Sequence, residues 1–332
     1  MTLPFLTPDA PRVAPAYDHP LNFDPTYGYD LEALLRMGAP EGPADLVSFW
    51  HQTYDEAMQV PLRTTLRPIE NPSDEFELFE IEFDSLGGVR IGGWMTLPRD
   101  RASIERGIVV SHGYGGRMDP PGAIPGPPAA AIFPCARGLG ARSYLPGVSV
   151  KGDEHVVVGI ESRDTYILRG CAADIWCAAS ALIEQVPEIA SRLQYTGSSF
   201  GGGQGGLALA WDPRFVKAHL GVPTFGNHPL RVTLPCKGSG AGVKQYYEDH
   251  PEVLDVLQYF DAATNARHTH IPVQCECALF DPSVPPPGQF AVFNALAGPK
   301  ELLVRPASHF ACPEKEIYDA ISQQKQGVWF ST

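Results

Sequence analysis

The sequence predicts an α/β protein built on a mostly parallel, doubly wound sheet, opened by an antiparallel hairpin and interrupted by a helical insertion. Three observations carry this. From residue 107 onward, continuous apolar runs such as Ile108-Val109-Val110 and Ala131-Ile132-Phe133 alternate with helix-length stretches. Such runs suit strands buried on both faces and joined by crossover helices. Ahead of them, apolar and polar residues alternate with period two on either side of Gly87-Gly88, as in a hairpin. At 193–203 an apolar run enters the turn Gly197-Ser198-Ser199-Phe200-Gly201 and leaves it into a glycine-rich helix start, the context of a nucleophile elbow.

The elements follow in order. Residues 1–44 are rich in proline, with Tyr17, Phe23, Tyr27 and Tyr29 interspersed, and read as an irregular arm that docks through its aromatics. Residues 45–332 are expected to form one domain. It begins with a helix over 45–57, whose Leu46, Phe49, Trp50 and Ala57 fall on one stripe. Phe76 and Leu78 keep one alternation phase, while Phe79, Ile81 and Phe83 keep the other; that one-residue slip predicts a β-bulge. Strands are expected at 108–110, 131–133, 193–196, 218–220, 273–279 and 302–304, and helices at 164–185, 202–211, 289–297 and 313–326. A Pro/Gly-rich loop at 119–128 and an insertion around 227–260, with helical pieces at 242–249 and 251–260, fall outside the alternation; each is a candidate lid or subunit contact.

Composition narrows the function. Of 332 residues, 44% are hydrophobic and 19% charged, enough for a large ordered core. A net charge of −13 argues against nucleic acid or an anionic membrane as the main partner. No apolar run reaches the length of a membrane span. Residues 1–9 lack the basic start and apolar segment of a secretory signal, so a cytoplasmic location is expected. The seven cysteines lack metal-site or paired-framework spacing and read as small buried hydrophobes in a reducing compartment; Cys275 and Cys277 should face one side of a strand. The expectation is a site with no metal and no cofactor.

The glycines two before and two after Ser199 leave room where strand and helix nearly touch, so the serine hydroxyl should stand in the open. A serine needs a base within hydrogen-bond reach, and the base needs an orienting acid. The chain supplies both late, in the order serine, acid, histidine. The strand at 273–279 runs into Asp281 and the strand at 302–304 runs into His309, so all three residues should meet at the carboxyl edge of the sheet. Asp255 and Asp261 are weaker rivals for the acid because they belong to the insertion. After the strand at 108–110 comes Ser111-His112-Gly113-Tyr114-Gly115-Gly116; the N–H groups of Tyr114 and Phe200 are the candidate oxyanion donors, and His112 reads as a loop-shaping residue.

In these pieces the chain resembles the acetyl xylan esterase and cephalosporin C deacetylase family. The resemblance spans about residues 44–330 and also rests on Ala136-Arg137-Gly138, Gly221-Val222-Pro223, Gln258-Tyr259-Phe260-Asp261 and Ala297-Gly298-Pro299-Lys300-Glu301. It implies an α/β-hydrolase fold, a metal-free triad at Ser199, Asp281 and His309, oxyanion donors at Tyr114 and Phe200, a small-molecule ester substrate such as an acetylated sugar, and homo-oligomeric rings, often hexamers. The chain departs from the family in three places. The family usually has Gln where Phe200 stands, Gln where Leu139 follows Arg137-Gly138, and Glu where Phe310 follows His309. These changes point to apolar groups near the pocket and a greasier or different ester. The leading expectation is a serine esterase for short acyl esters. The alternatives are a carboxylesterase or other serine hydrolase with a larger apolar or peptide-like substrate, and a hydrolase-fold protein that binds without catalysis.

Overall fold

The computed structural model describes residues 6–7, 10–71, 73–122 and 124–332. Among the described residues nine strands form one sheet: β1 (Thr65–Ile69), β2 (Phe76–Ser85), β3 (Val89–Pro98), β4 (Arg106–Val110), β5 (Ala129–Pro134), β6 (Leu193–Ser198), β7 (Phe215–Gly221), β8 (Val273–Phe280) and β9 (Lys300–Ala307). Their spatial order is β1-β2-β3-β5-β4-β6-β7-β8-β9. The first three strands are antiparallel and β3 meets β5 antiparallel; from β5 through β4 to β9 every pairing is parallel. This is the α/β-hydrolase-like arrangement expected. β1 is an addition that the sequence reading missed, because its Leu66 and Ile69 are separated by Arg67 and Pro68 and only half-buried.

No bulge interrupts β2. It pairs residue for residue with β3 from Phe76↔Pro98 to Ser85↔Val89. The apolar phase slips because the strand serves two cores. Leu78 faces a smaller cluster with Trp94, Ile108, Phe133 and Phe330, whereas Ile81 and Phe83 face the main core on the other side of the sheet. Gly87 and Gly88 both have positive φ and make the tight connection to β3.

The helix Ile167–Gln185 lies against the main-core face, nearly all of it buried. Its Asp174 holds the segment after β5: the Arg137 guanidinium donates to both Asp174 oxygens, Asp174 Oδ2 accepts the Arg137 N–H at 3.1 Å, and Ser85 Oγ donates at 2.6 Å. Helix Phe200–Ala208 follows β6, and helix Lys315–Ser331 brings Phe330 to the smaller cluster. The insertion after β7 contributes the helix Ser239–Asp249, which contacts the turn Gly152–His155, and it bonds Lys237 N–H to Pro282 O at 2.8 Å. Among the described residues no helix is long and apolar enough to cross a membrane. Cys275 and Cys277 lie buried side by side on β8, with Sγ atoms 3.7 Å apart.

Replacing Asp174 by Asn leaves the buried Arg137 guanidinium without its counter-charge. The expected result is a loss of about 3–5 kcal/mol in unfolding free energy, read as a lower urea midpoint.

Candidate active site

Parallel strands β6, β8 and β9 end at one edge; β6 and β8 continue directly into Ser199 and Asp281, and His309 follows β9 two residues on. Ser199 follows β6 with φ 58° and ψ −115°, a conformation that L residues avoid. It is held there because its N–H donates to Gly221 O of β7 at 2.9 Å, while its carbonyl starts the next helix by accepting from Gly203 N–H at 3.0 Å. A Cβ on Gly197 would lie 2.6 Å from the Gly201 carbonyl carbon and oxygen, so no larger residue fits where strand and helix cross. Tyr195 Oη locks the crossing by donating to Gly201 O at 2.6 Å.

The carboxylate of Asp281 is fully buried and gathers four donors. Oδ1 accepts the N–H groups of Ser283 and Val284, each at 2.9 Å; Oδ2 accepts Gln289 Nε2 at 3.1 Å and His309 Nδ1 at 2.8 Å. Gln289 is oriented in turn: its Oε1 accepts Ala278 N–H at 2.8 Å and its Nε2 also donates to Val284 O at 2.6 Å. The sequence reading missed Gln289. The usable signal was its place at the start of the helix just after Asp281, where the proline-glycine run Pro285-Pro286-Pro287-Gly288 turns the chain back.

His309 completes the set. Nδ1 faces the carboxylate and therefore carries the proton; Nε2 stands 3.0 Å from Ser199 Oγ as an acceptor. Its backbone also has positive φ, 48°. Burial pushes the imidazole toward neutrality, but the charge and hydrogen bond of Asp281 outweigh that, and its pKa is raised above the ordinary 6.5. Such a relay can take a proton from an alcohol and make its oxygen nucleophilic.

Gly113 sits against Ser199, since a Cβ there would come within 3.8 Å of Ser199 Cβ. The following N–H, that of Tyr114, has no acceptor among the described residues. Phe200 is the first residue of its helix, where N–H groups point outward unpaired. His112 is fixed in the loop: Nε2 accepts Ala136 N–H at 2.9 Å, so Nδ1 carries the proton and donates to Gly113 O at 2.7 Å. Burial lowers its pKa to about 4, so it stays neutral as the loop support the sequence suggested. The rival acids lie elsewhere. Asp261 is a buried helix cap bonded to the N–H groups of His228, Ala263 and Thr264, and Asp255 is exposed.

The three apolar replacements pack against other side chains. Phe200 is fully buried, its ring 4.3 Å from that of Tyr114 and also beside Phe225 and His155. Leu139 is in the core. Phe310 packs its ring on Phe280 and Tyr17, at 4.9 and 5.4 Å. Phe200 and Leu139 are thus buried, whereas Phe310 is half-buried.

The acetyl xylan esterase (AXE1) family model matches residues 30–329. The acetyl esterase Axe7A of Xylanibacter ruminicola is 21% identical over 320 residues, an alignment taking in 86% of this chain and 68% of that protein. The solved acetyl xylan esterase from Paenibacillus sp. R4 superposes with a TM-score of 0.75 at 22% identity, covering 89% of this chain and 99% of that one. Acetyl xylan esterase 1 from Thermoanaerobacterium sp. JW/SL YS485 gives 0.77 at 20% identity, with 91% and 99% covered. At these identities the structural likeness shows the fold.

Asp281→Asn removes the charge that raises the His309 pKa and leaves burial in command. The imidazole should then titrate below 6.5 instead of above it, as followed by NMR on the His309 ring; an unchanged midpoint would contradict the assigned cause.

Proposed function

The chain belongs to the acetyl xylan esterase family, and from that premise we propose that it is a serine esterase that removes short acyl groups, acetyl foremost, through an acyl-enzyme on Ser199. The observation that carries the reading is the unbroken relay from Ser199 Oγ through His309 to the buried Asp281 carboxylate.

In the proposed cycle His309 Nε2 takes the Ser199 proton as Oγ attacks the ester carbonyl. Asp281 keeps the proton on Nδ1 and stabilises the imidazolium. The carbonyl oxygen, now an oxyanion, receives hydrogen bonds from the N–H groups of Tyr114 and Phe200, the latter at a helix N-terminus where the backbone dipoles favour negative charge. Collapse expels the alcohol, which takes the proton from His309. Water then repeats the sequence on the acyl-enzyme, with His309 as base, and releases the acid. Every proton transfer is assigned to a side chain, so the proposed cycle calls for no metal or cofactor.

The substrate proposed is a small-molecule ester, an acetylated sugar among them. Two of the replaced family positions, Phe200 and Leu139, are buried, which supports a small acyl group. A homo-oligomer, in the hexameric ring that the resemblance implies, is part of the same proposal, and light scattering on the purified protein tests it.

With an activated acetate ester the enzyme should show a burst of alcohol release. Ser199→Ala should lower kcat by about 10⁴-fold or more; retention of turnover would refute the nucleophile. Across an acyl-chain series kcat/KM should be greatest at acetate or propionate, and a preference for long chains or peptide bonds would displace the acetyl reading. Catalysis needs neutral His309, and its pKa is raised, so kcat/KM should climb with pH and reach half its plateau above 6.5. A flat profile from about pH 5 to 9 would remove His309 as the base.

A further inference from the structure

The family match begins at residue 30, yet residues ahead of it pack against both loops that carry the proposed acid and base. Pro25, buried, accepts the Asp281 N–H through its carbonyl at 3.1 Å. Tyr17 places its ring edge-on to Phe280, with centroids 5.2 Å apart, and against Phe310 at 5.4 Å. Phe280 immediately precedes Asp281, and Phe310 immediately follows His309. His19 adds a second ring on Phe280 at 5.5 Å. The arm is anchored at both ends of this contact: Leu6 bridges Leu302 of β9, and Tyr27 Oη donates to Pro235 O at 2.8 Å.

We propose that the N-terminal arm is a clamp for catalysis, with Tyr17 the positioning residue that sets the Asp281–His309 pair by holding Phe280 and Phe310 together. The proposal rests on the esterase reading for its catalytic consequence, though not for its structural one.

Three physical points support it. His309 sits at positive φ, a state that reverts unless its neighbours over-determine it. Directly between the two loops, the backbone offers the bond from Ser308 N–H to Phe280 O at 2.9 Å; the Tyr17, Phe280 and Phe310 rings add a second tie, on the residue that follows His309 in the chain. Lastly, Phe310 stands where the resemblance sets a polar residue. A glutamate there would meet the Tyr17 and Phe280 rings, whereas phenylalanine completes the cluster. The arm and the apolar residue after the base thus form one device.

The test uses the full chain with Tyr17→Ala, Tyr17→Phe and Phe310→Leu. Displacing a reacting group by about 1 Å can cost about a hundredfold, so Tyr17→Ala should lower kcat on an acetate ester ten- to a hundredfold while KM stays within about twofold. Tyr17→Phe keeps the ring and should behave as wild type. Phe310→Leu keeps apolar bulk without the ring contact; it should show a loss like that of Tyr17→Ala, and the double variant should be little worse than either single one. An NMR titration of His309 gives a readout that needs no turnover. Loosening the pair should bring the midpoint down toward 6.5 in Tyr17→Ala, but not in Tyr17→Phe. If Tyr17→Ala does not fold, Phe310→Leu carries the same two measurements. Wild-type kcat together with an unmoved His309 midpoint in the folded variants would overturn the clamp. A shifted midpoint in a protein that hydrolyses no ester would sustain the clamp and defeat the esterase reading instead.

Discussion

The buried carboxylate of Asp281 is the interaction on which the rest of the site depends. A carboxylate with no solvent contact is tolerable only where its acceptor sites are filled, and here four donors converge on it. Three of them, two backbone N–H groups and Gln289, belong to the chain that turns back after β8. The fourth is His309, from the next strand. Satisfying the charge therefore fixes the loop after β8, and the same act fixes which ring nitrogen of His309 holds a proton. That leaves the other nitrogen facing Ser199 as an acceptor.

The opposite end of the relay is set by crowding. Ser199 is forced out at the elbow because Gly197 and Gly201 let strand and helix cross at contact distance, and its unusual backbone is held by the Gly221 carbonyl of the neighbouring strand. The parallel sheet makes the two ends commensurate. β6, β7, β8 and β9 all finish at one edge, so a strained serine, a filled carboxylate and an imidazole emerge a few ångströms apart although the chain separates them by up to 110 residues. Aromatic packing beneath this edge then resists relaxation. Phe200 packs its ring on Tyr114 and Phe225, and the arm's Tyr17 joins Phe280 and Phe310 beside Asp281 and His309.

Much of this was legible in the residues. Continuous apolar runs marked the parallel strands within a few residues of their observed bounds, because a strand buried on both faces cannot alternate. The elbow was legible because few turns need glycine on both sides of a serine, and the approach of Asp281 and His309 to Ser199 was legible from which residues follow the last strands. The reading failed where two environments overlap. The phase slip in β2 predicts a bulge by itself, whereas the strand is regular and its two faces meet different cores. β1 escaped notice because a half-buried edge strand carries little apolar signal.

What the sequence determined by itself is local and periodic: the strand–helix alternation, the sharp turn at Ser199, and the order of serine, acid and histidine. These follow from steric and hydrophobic rules that act within a few residues. Only the tertiary structure decided that Gln289 finishes the shell of Asp281, that Phe200 and Leu139 are buried while Phe310 packs on Phe280 and Tyr17, and that an arm some 250 residues from Asp281 in sequence packs against the loops that carry Asp281 and His309. Each of those outcomes depends on which surfaces meet when distant segments pack. A side chain's type limits what it can do, but its direction is set by neighbours that the linear order does not name.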